Sequence, residues 1–223
     1  LTFKKNSGTP ANYDFVYSLG TNWTSTPPDN TGVTAGSGWT TVSLSDDSLS
    51  SAISLSTNNF KYFVVFPGGN WEPKIWSSKN YNSLLVKILS QNSNIKFILV
   101  GSKSEEEVYL NEITKNIDSN KIVNLFGVSL TQTAAYMKKS KLFIGNDSGL
   151  SHMASAAKLK SIVLFGPTND KIYGPFMEHS KVIRTKESYD YFKSIKLNKT
   201  RSYMDSISVE KIYNILKENN YCE

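Results

Sequence analysis

Cysteine and histidine are scarce: the 223 residues hold one cysteine, Cys222, and two histidines, His152 and His179. A single thiol makes no internal disulfide, which excludes a disulfide scaffold and fits a reducing compartment. The histidines have no metal-ligand spacing with each other or with the cysteine, so no metal is expected. Long hydrophobic runs are missing too. Stretches such as Phe63–Phe66 and Ile162–Phe165 fall far short of the roughly 20 residues that cross a bilayer. No basic stretch followed by an apolar one opens the chain, so no secretory leader is expected, and with Leu1 in place of Met the native start is expected to be a different residue. Helix-turn-helix, zinc and aromatic-basic stacking patterns are absent as well, and nucleic acid is not an expected partner.

What remains is an ordinary globular composition, 39% hydrophobic and 12% aromatic, in a chain long enough for one domain with a small companion. Its net charge of +6 is uneven. Residues 1–59 carry Lys4 and Lys5 against Asp14, Asp29, Asp46 and Asp47, a balance of −2 that leaves +8 for the rest. A basic domain attracts polyanions, whether nucleoside diphosphates, anionic lipid headgroups or nucleic acid, and the charge alone does not choose among them.

Composition divides the chain at the same place. Residues 1–59 are rich in Ser, Thr, Asn and Gly, with Pro27-Pro28 and Thr31-Gly32 as punctuation and short apolar alternations such as Phe15-Val16-Tyr17. This reads as a polar segment of short strands and loops. Residues 60–223 alternate strand-length apolar runs with helix-length amphipathic ones. Strands are expected at Tyr62–Phe66, Ile95–Val100, Ile122–Leu125, Leu142–Ile144 and Ile162–Phe165. Helices are expected at Tyr81–Leu89, Glu105–Ile117, Leu130–Lys138, Ser148–Ala157 and Val209–Glu218. Such alternation calls for an α/β domain, a Rossmann-like parallel sheet covered by helices on both faces.

Ligands of open α/β sheets sit beyond the carboxyl ends of the strands. Three loops have that place: Pro67–Trp76, with Gly68, Gly69 and Lys74; Gly101–Glu105; and Gly145–Gly149. In the last, Ser148 and Gly149 open a helix whose unpaired N–H groups and positive dipole favour a diphosphate. The ordinary alternative is an N-cap in which Asp147 or Ser148 satisfies those N–H groups itself. Trp71 and Trp76 are expected to pack the first loop rather than to stack on a base.

Four ordered segments add context. IGNDSGLSHMASAA (residues 144–157) followed by SIVLFGPTNDKIYGP (161–175), with PGGNWEPKIWSSKNYNSL (67–84), FILVGSKSEEE (97–107) and NLFGVSLTQTAAYMKKSKLFIGND (124–147), resembles glycosyltransferase family 9, the ADP-heptose:lipopolysaccharide heptosyltransferases and their relatives. The resemblance covers nearly all of residues 60–176. It implies the C-terminal half of a GT-B fold and a nucleotide-diphosphate sugar, an ADP-sugar first, as ligand. By position, Lys74 is implied to touch phosphate, Glu105 the ribose, Asp147 the sugar hydroxyls, and Ser148 and Gly149 the diphosphate through backbone N–H groups, with His152 one turn further on facing the same site. The ordinary readings are a solvated lysine for Lys74, a first-turn carboxylate for Glu105 and a packed helix residue for His152.

The resemblance further implies an inverting, metal-independent glycosyl transfer without cofactor to a saccharide or glycolipid acceptor. The setting would be cytoplasmic, and a peripheral contact with the anionic inner face of the membrane is compatible with the charge. Two departures stand out. Lys158 and Lys160 replace the family's usual Gly and Pro before the strand at Ile162. Residues 1–59 are also much shorter than an acceptor domain and show none of its motifs, with Asp14 as the one weak candidate for a catalytic base. The competing reading is a non-catalytic nucleotide-sugar-binding or interaction module.

Overall fold

The computed structural model describes residues 2–5, 13–18 and 39–43 by their backbone, and residues 60–175 and 177–222 with their side chains. The first group forms three strands, β1 (Thr2–Lys5), β2 (Tyr13–Ser18) and β3 (Trp39–Ser43). They pair antiparallel in the order β1-β2-β3. Asp14 lies in β2 opposite Lys4 and Ser43; its side chain is outside the described residues, so its candidacy as a base is left where the sequence put it.

The second group is built on six parallel strands: β4 (Lys61–Phe66), β5 (Ile95–Gly101), β6 (Ile122–Phe126), β7 (Leu142–Asn146), β8 (Ser161–Phe165) and β9 (Ser180–Arg184). Their order is β6-β5-β4-β7-β8-β9. The chain steps outward from β4 to β6 on one side, then returns to lay β7, β8 and β9 on the other. Loops leaving β4 and β7 therefore diverge at the point where strand order reverses, which is where such sheets open a crevice for ligand.

Helices cover both faces: α1 (Ser78–Gln91), α2 (Lys103–Ile113), α3 (Leu130–Lys139), α4 (Gly149–Ala156), the short α5 (Asp170–Tyr173) and α6 (Tyr189–Ser194), and α7 (Val209–Glu218). Alternate residues of a strand point to opposite faces. Phe63 and Val65 of β4 accordingly pack with Leu84, Leu85 and Ile88 of α1 and Ile212 and Leu216 of α7, while Val64 and Phe66 pack with Ala134 and Met137 of α3 and Met153 and Ala154 of α4. Burial on both faces is why these strands read as unbroken apolar runs.

Serines start most of the helices. Ser77, Ser102, Ser129, Ser188 and Ser208 each accept a hydrogen bond from the first turn of the helix that follows, and Ser102 and Ser129 complete capping boxes with Glu105 and Gln132.

Several boundaries differ from expectation. Helix α2 begins at Lys103 and stops at Ile113 instead of running to Ile117, because Asn82 Nδ2 donates to the carbonyls of Ile113 and Lys115 and Asn116 turns to a positive φ of 60°. Strand β7 continues to Asn146, since Gly145 and Asn146 pair with Val163 and Leu164. The third loop shrinks to Asp147 and Ser148, and α4 starts at Gly149 rather than Ser148. Elements β9, α5 and α6 were not anticipated.

Candidate functional site

At the carboxyl edge of the sheet the three expected loops enclose a cavity of about 640 Å³. Gly69, Asn70 and Lys74 form one wall, and Gly101, Ser102 and Glu105 a second. The start of α4, with Ser148 and Gly149, forms a third. Between them lies an apolar wall of Val128, Leu130, Leu150 and Met153.

At the α4 end of the cavity the Ser148 turn departs from an ordinary side-chain N-cap. Ser148 occupies the N-cap position with an extended backbone but makes no side-chain cap bond, in contrast to the five serines above. Its Oγ is buried without a hydrogen-bond partner. The N-terminus of α4 thus lacks the side-chain acceptor that an N-cap normally supplies, and its positive end is turned to the cavity.

Lys74 reaches the same place from the first loop. Its Nζ lies 3.6 Å from Asp147 Oδ2, with both side chains largely buried at 12% and 7% exposure. Buried ammonium and carboxylate groups are costly unless paired, so each offsets the burial of the other beside the α4 terminus. Asp147 and Gly68 do not line the cavity, and neither does His152. His152 is half-buried, and burial holds its imidazole below the ordinary histidine range, with the Asp147 charge acting in the opposite direction.

Glu105 joins the second loop to the first. Its Oε1 accepts from Gly69 N at 2.9 Å, and its Oε2 accepts from Ser102 N at 2.7 Å and Ser102 Oγ at 2.8 Å. Gly68 makes room for this carboxylate, because a Cβ there would lie 2.0 Å from Glu105 Oε1. The first-turn carboxylate reading of Glu105 and its placement on the cavity wall are therefore both realised.

Asn146 is the residue that sequence reasoning passed over. Fully buried at the end of β7, it accepts through Oδ1 from Trp76 N at 3.1 Å and from Tyr81 OH at 3.0 Å, and it donates through Nδ2 to Pro67 O at 2.7 Å and Gly68 O at 3.0 Å. All four hydrogen-bonding positions of the amide are used. The amide clamps both ends of the first loop to the strand that carries Asp147. Tyr81, wholly buried, shares its one hydroxyl proton between Asn146 Oδ1 and Phe66 O, and burial raises its phenol well above the usual tyrosine value, so it remains a donor. An isolated Asn closing the apolar run Leu142–Gly145 was the available signal, since a polar amide at such a place must find partners.

The C-terminal segment holds the first loop from its other side. Ser202 Oγ donates to Ile75 O, Tyr203 N to Pro73 O, and the indole of the core residue Trp76 to Ile207 O. Trp76 is thus a packing residue, as expected. Arg184, from β9, donates to Gly166 O, Thr168 O and Asp170 Oδ1, fixing the loop after β8. Among the described residues, no group of three or more His, Cys, Asp or Glu side chains could hold a metal ion, and no helix is long and apolar enough to cross a membrane.

A six-stranded Rossmann-like sheet with its loops gathered at the strand-order reversal, and with an uncapped helix terminus beside a buried lysine, places this chain among α/β proteins of the GT-B type. The chain belongs to glycosyltransferase family 9 (heptosyltransferase), whose model matches residues 12–202. That match carries the likeness back from the motif-bearing residues 60–176 to residue 12. Lipopolysaccharide heptosyltransferase 2 of Salmonella typhimurium is 30% identical over 128 residues, 55% of this chain and 36% of that protein. Among solved structures, a family 9 glycosyl transferase from Veillonella parvula superposes with a TM-score of 0.64 at 21% identity, over 78% of this chain and 52% of the other. Heptosyltransferase WaaC of E. coli with ADP gives 0.59 at 20% identity, over 73% and 45%. The chain spans about half the length of these solved structures and just over a third of that of the Salmonella protein.

Proposed function

We propose that the cavity between β4, β5 and β7 binds a nucleoside-diphosphate sugar, with ADP-heptose first among them, and that the chain is the donor-binding part of an inverting, metal-independent glycosyltransferase acting on a lipopolysaccharide-type acceptor. One observation carries this reading: the uncapped N-terminus of α4, with the buried hydroxyl of Ser148, faces the same cavity as Lys74. Together they offer backbone N–H groups, a helix dipole and an ammonium to one diphosphate. WaaC, a relative by fold, was solved with ADP, which favours adenine as the base. The apolar wall at Val128, Leu130 and Met153 is suited to a flat heterocycle.

In transfer, a base takes the proton of the acceptor hydroxyl as its oxygen attacks the anomeric carbon from the face opposite the diphosphate, and the configuration inverts. Charge builds on the departing diphosphate, where Lys74 and the α4 terminus stabilise it. In this reading Asp147, paired with Lys74 at 3.6 Å, accepts hydrogen bonds from sugar hydroxyls that reach beyond the cavity lining.

Calorimetry with ADP, ADP-heptose, GDP-mannose and UDP-glucose tests the reading. Lys74→Ala removes a charge-assisted contact and is expected to weaken ADP binding about 10- to 100-fold, the equivalent of about 1.5–3 kcal/mol. Asp147→Ala is expected to reduce ADP-heptose affinity more than ADP affinity. Failure of every nucleotide to bind the native chain refutes the proposal. Binding without turnover in the presence of acceptor would leave the non-catalytic module in its place.

A further inference from the structure

Much of the basic charge of this protein lies away from the diphosphate cavity, whose lining holds Lys74 and Lys103 against Glu105. The loops and helix starts at the carboxyl edge of the sheet carry Glu72, Glu105, Asp147, Asp170 and Glu187 among their lysines. The opposite edge carries one lysine for every strand. In sheet order they are Lys121 at the entry to β6, Lys96 in β5, Lys61 in β4, Lys141 and Lys160 at the entries to β7 and β8, and Lys181 in β9. The parallel registers hold them near one level: Lys96 pairs with Tyr62, the residue after Lys61, and Lys141 N donates to Tyr62 O. Lys141 and Lys160 are exposed and the other four half-buried. Strands in a sheet stand about 4.8 Å apart, so the row crosses the sheet in steps of roughly that size.

We propose that this lysine row is a docking face for an anionic lipid surface. Three observations favour headgroups over other polyanions. The row contains no arginine; the chain's two arginines are Arg184 and Arg201, outside it. Lysines act as point charges suited to a diffuse negative layer, even with Lys121 and Lys181 tied through their ammonium groups to Ser93 O and Asn219 Oδ1, whereas specific nucleic-acid or phosphopeptide recognition relies on the planar guanidinium fork. Aromatic rings underlie the row: Lys96 and Lys121 lie over Phe60, 4.2 and 5.1 Å from its centre, and Lys160 lies 5.2 Å from the centre of Tyr221, so the ammonium groups extend from an amphipathic base. Finally, the acids along this edge are fewer than the lysines, with Glu112 near the end of α2, Asp118 and Glu178 on the turns into β6 and β9 and Glu218 closing α7. Docking by this edge leaves the ligand cavity, one strand length away, open to diffusing nucleotide sugar. The inference stands apart from the nucleotide reading and does not need it.

The ordinary explanation is that lysines at this edge complement the negative ends of helices α1, α2, α3 and α4, which terminate there. Vesicle flotation separates the two. The full chain is expected to float with phosphatidylcholine vesicles containing phosphatidylglycerol, not with phosphatidylcholine alone, and to be released by high salt. Each lysine near such a surface contributes roughly 1 kcal/mol, so the triple variant Lys61→Gln, Lys141→Gln, Lys160→Gln is expected to lose on the order of 100-fold in partitioning. A control of equal charge, Lys193→Gln, Lys196→Gln, Lys199→Gln, is expected to lose far less. No flotation of the native chain, or equal losses in the two triple variants, overturns the proposal, as does tighter binding to single-stranded RNA than to the vesicles at the same salt. Thermal melting of each variant shows whether a loss comes from unfolding. If the first triple variant melts early, the single variants Lys141→Gln and Lys160→Gln, both at exposed positions, are each expected to lose about fivefold, and no loss in either overturns the proposal.

Discussion

Substituting Asn146→Asp isolates one half of the buried amide. The carboxyl keeps the shape and the oxygen that accepts from Trp76 N and Tyr81 OH. It replaces the NH₂ group that donates to Pro67 O and Gly68 O, at 2.7 and 3.0 Å. An ionised carboxylate would set an acceptor against two acceptors in a dry site next to Asp147, so the folded state requires the new carboxyl to stay protonated. An aspartate ordinarily titrates near 3.9, and holding it neutral at pH 7 costs about 4 kcal/mol at about 1.4 kcal/mol per unit. The folded value is raised above the unfolded one, so this loss is present above the folded value and fades as pH falls toward about 4. Urea unfolding of both proteins between about pH 4.5 and 7 is therefore expected to show a gap that narrows by about 1.4 kcal/mol per unit on acidification. If the first loop gives way instead of the whole fold, hydrogen exchange will show lost protection at Gly69 and Trp76 with β4 and β5 unchanged. A gap that is constant with pH, together with unaltered exchange in residues 67–76, would refute the role given to the amide.

Two further outcomes rest on neighbouring groups. Gly68→Ala sets a methyl 2.0 Å from Glu105 Oε1; it is expected to displace that carboxylate from Gly69 N and to cost about 1–3 kcal/mol, and combining it with Glu105→Ala is expected to cost clearly less than the sum, whereas strict additivity would contradict the contact. For His152, whose imidazole burial holds below the ordinary range, an NMR titration is expected to give a midpoint below about 6.5. Stability should hold above that pH and fall as acid charges the ring through its folded value, a slope that His152→Gln removes; a midpoint above 6.5 would reverse the assignment.

The sheet and its loops were legible in the sequence because both-sided burial writes each of β4, β5, β7 and β8 as an apolar run closed by Gly or Pro. Strand β9, Ser-Lys-Val-Ile-Arg, was not, because at the sheet edge it is mostly half-buried and its polar residues break the run. Helices α5 and α6 are too short for a period to show. In the site, Gly69, Lys74, Glu105, Ser148 and Gly149 do gather round one cavity, and their shared position after parallel strands is what made them visible. Asn146 escaped because its partners, three main-chain groups and the Tyr81 hydroxyl, lie 65 to 79 positions away, a separation for which no local pattern exists. The sequence also offered the diphosphate as one use of the basic charge; the structure sets six of the lysines along the opposite edge.

The strap formed by Ser202, Tyr203 and Ile207 bears on how the protein is made. Its partners, Pro73, Ile75 and Trp76, belong to the loop after β4 and lie up to 131 positions earlier in the chain. Domains begin to fold as they leave the ribosome, N-terminal parts first, and β4 can pair with β5 soon after both emerge. The loop that holds Lys74 lacks these ties until residue 207 has been synthesised. A nascent chain stalled before that point would carry a formed sheet and an unset cavity, so competence to bind ligand arrives only after residue 207 has been made.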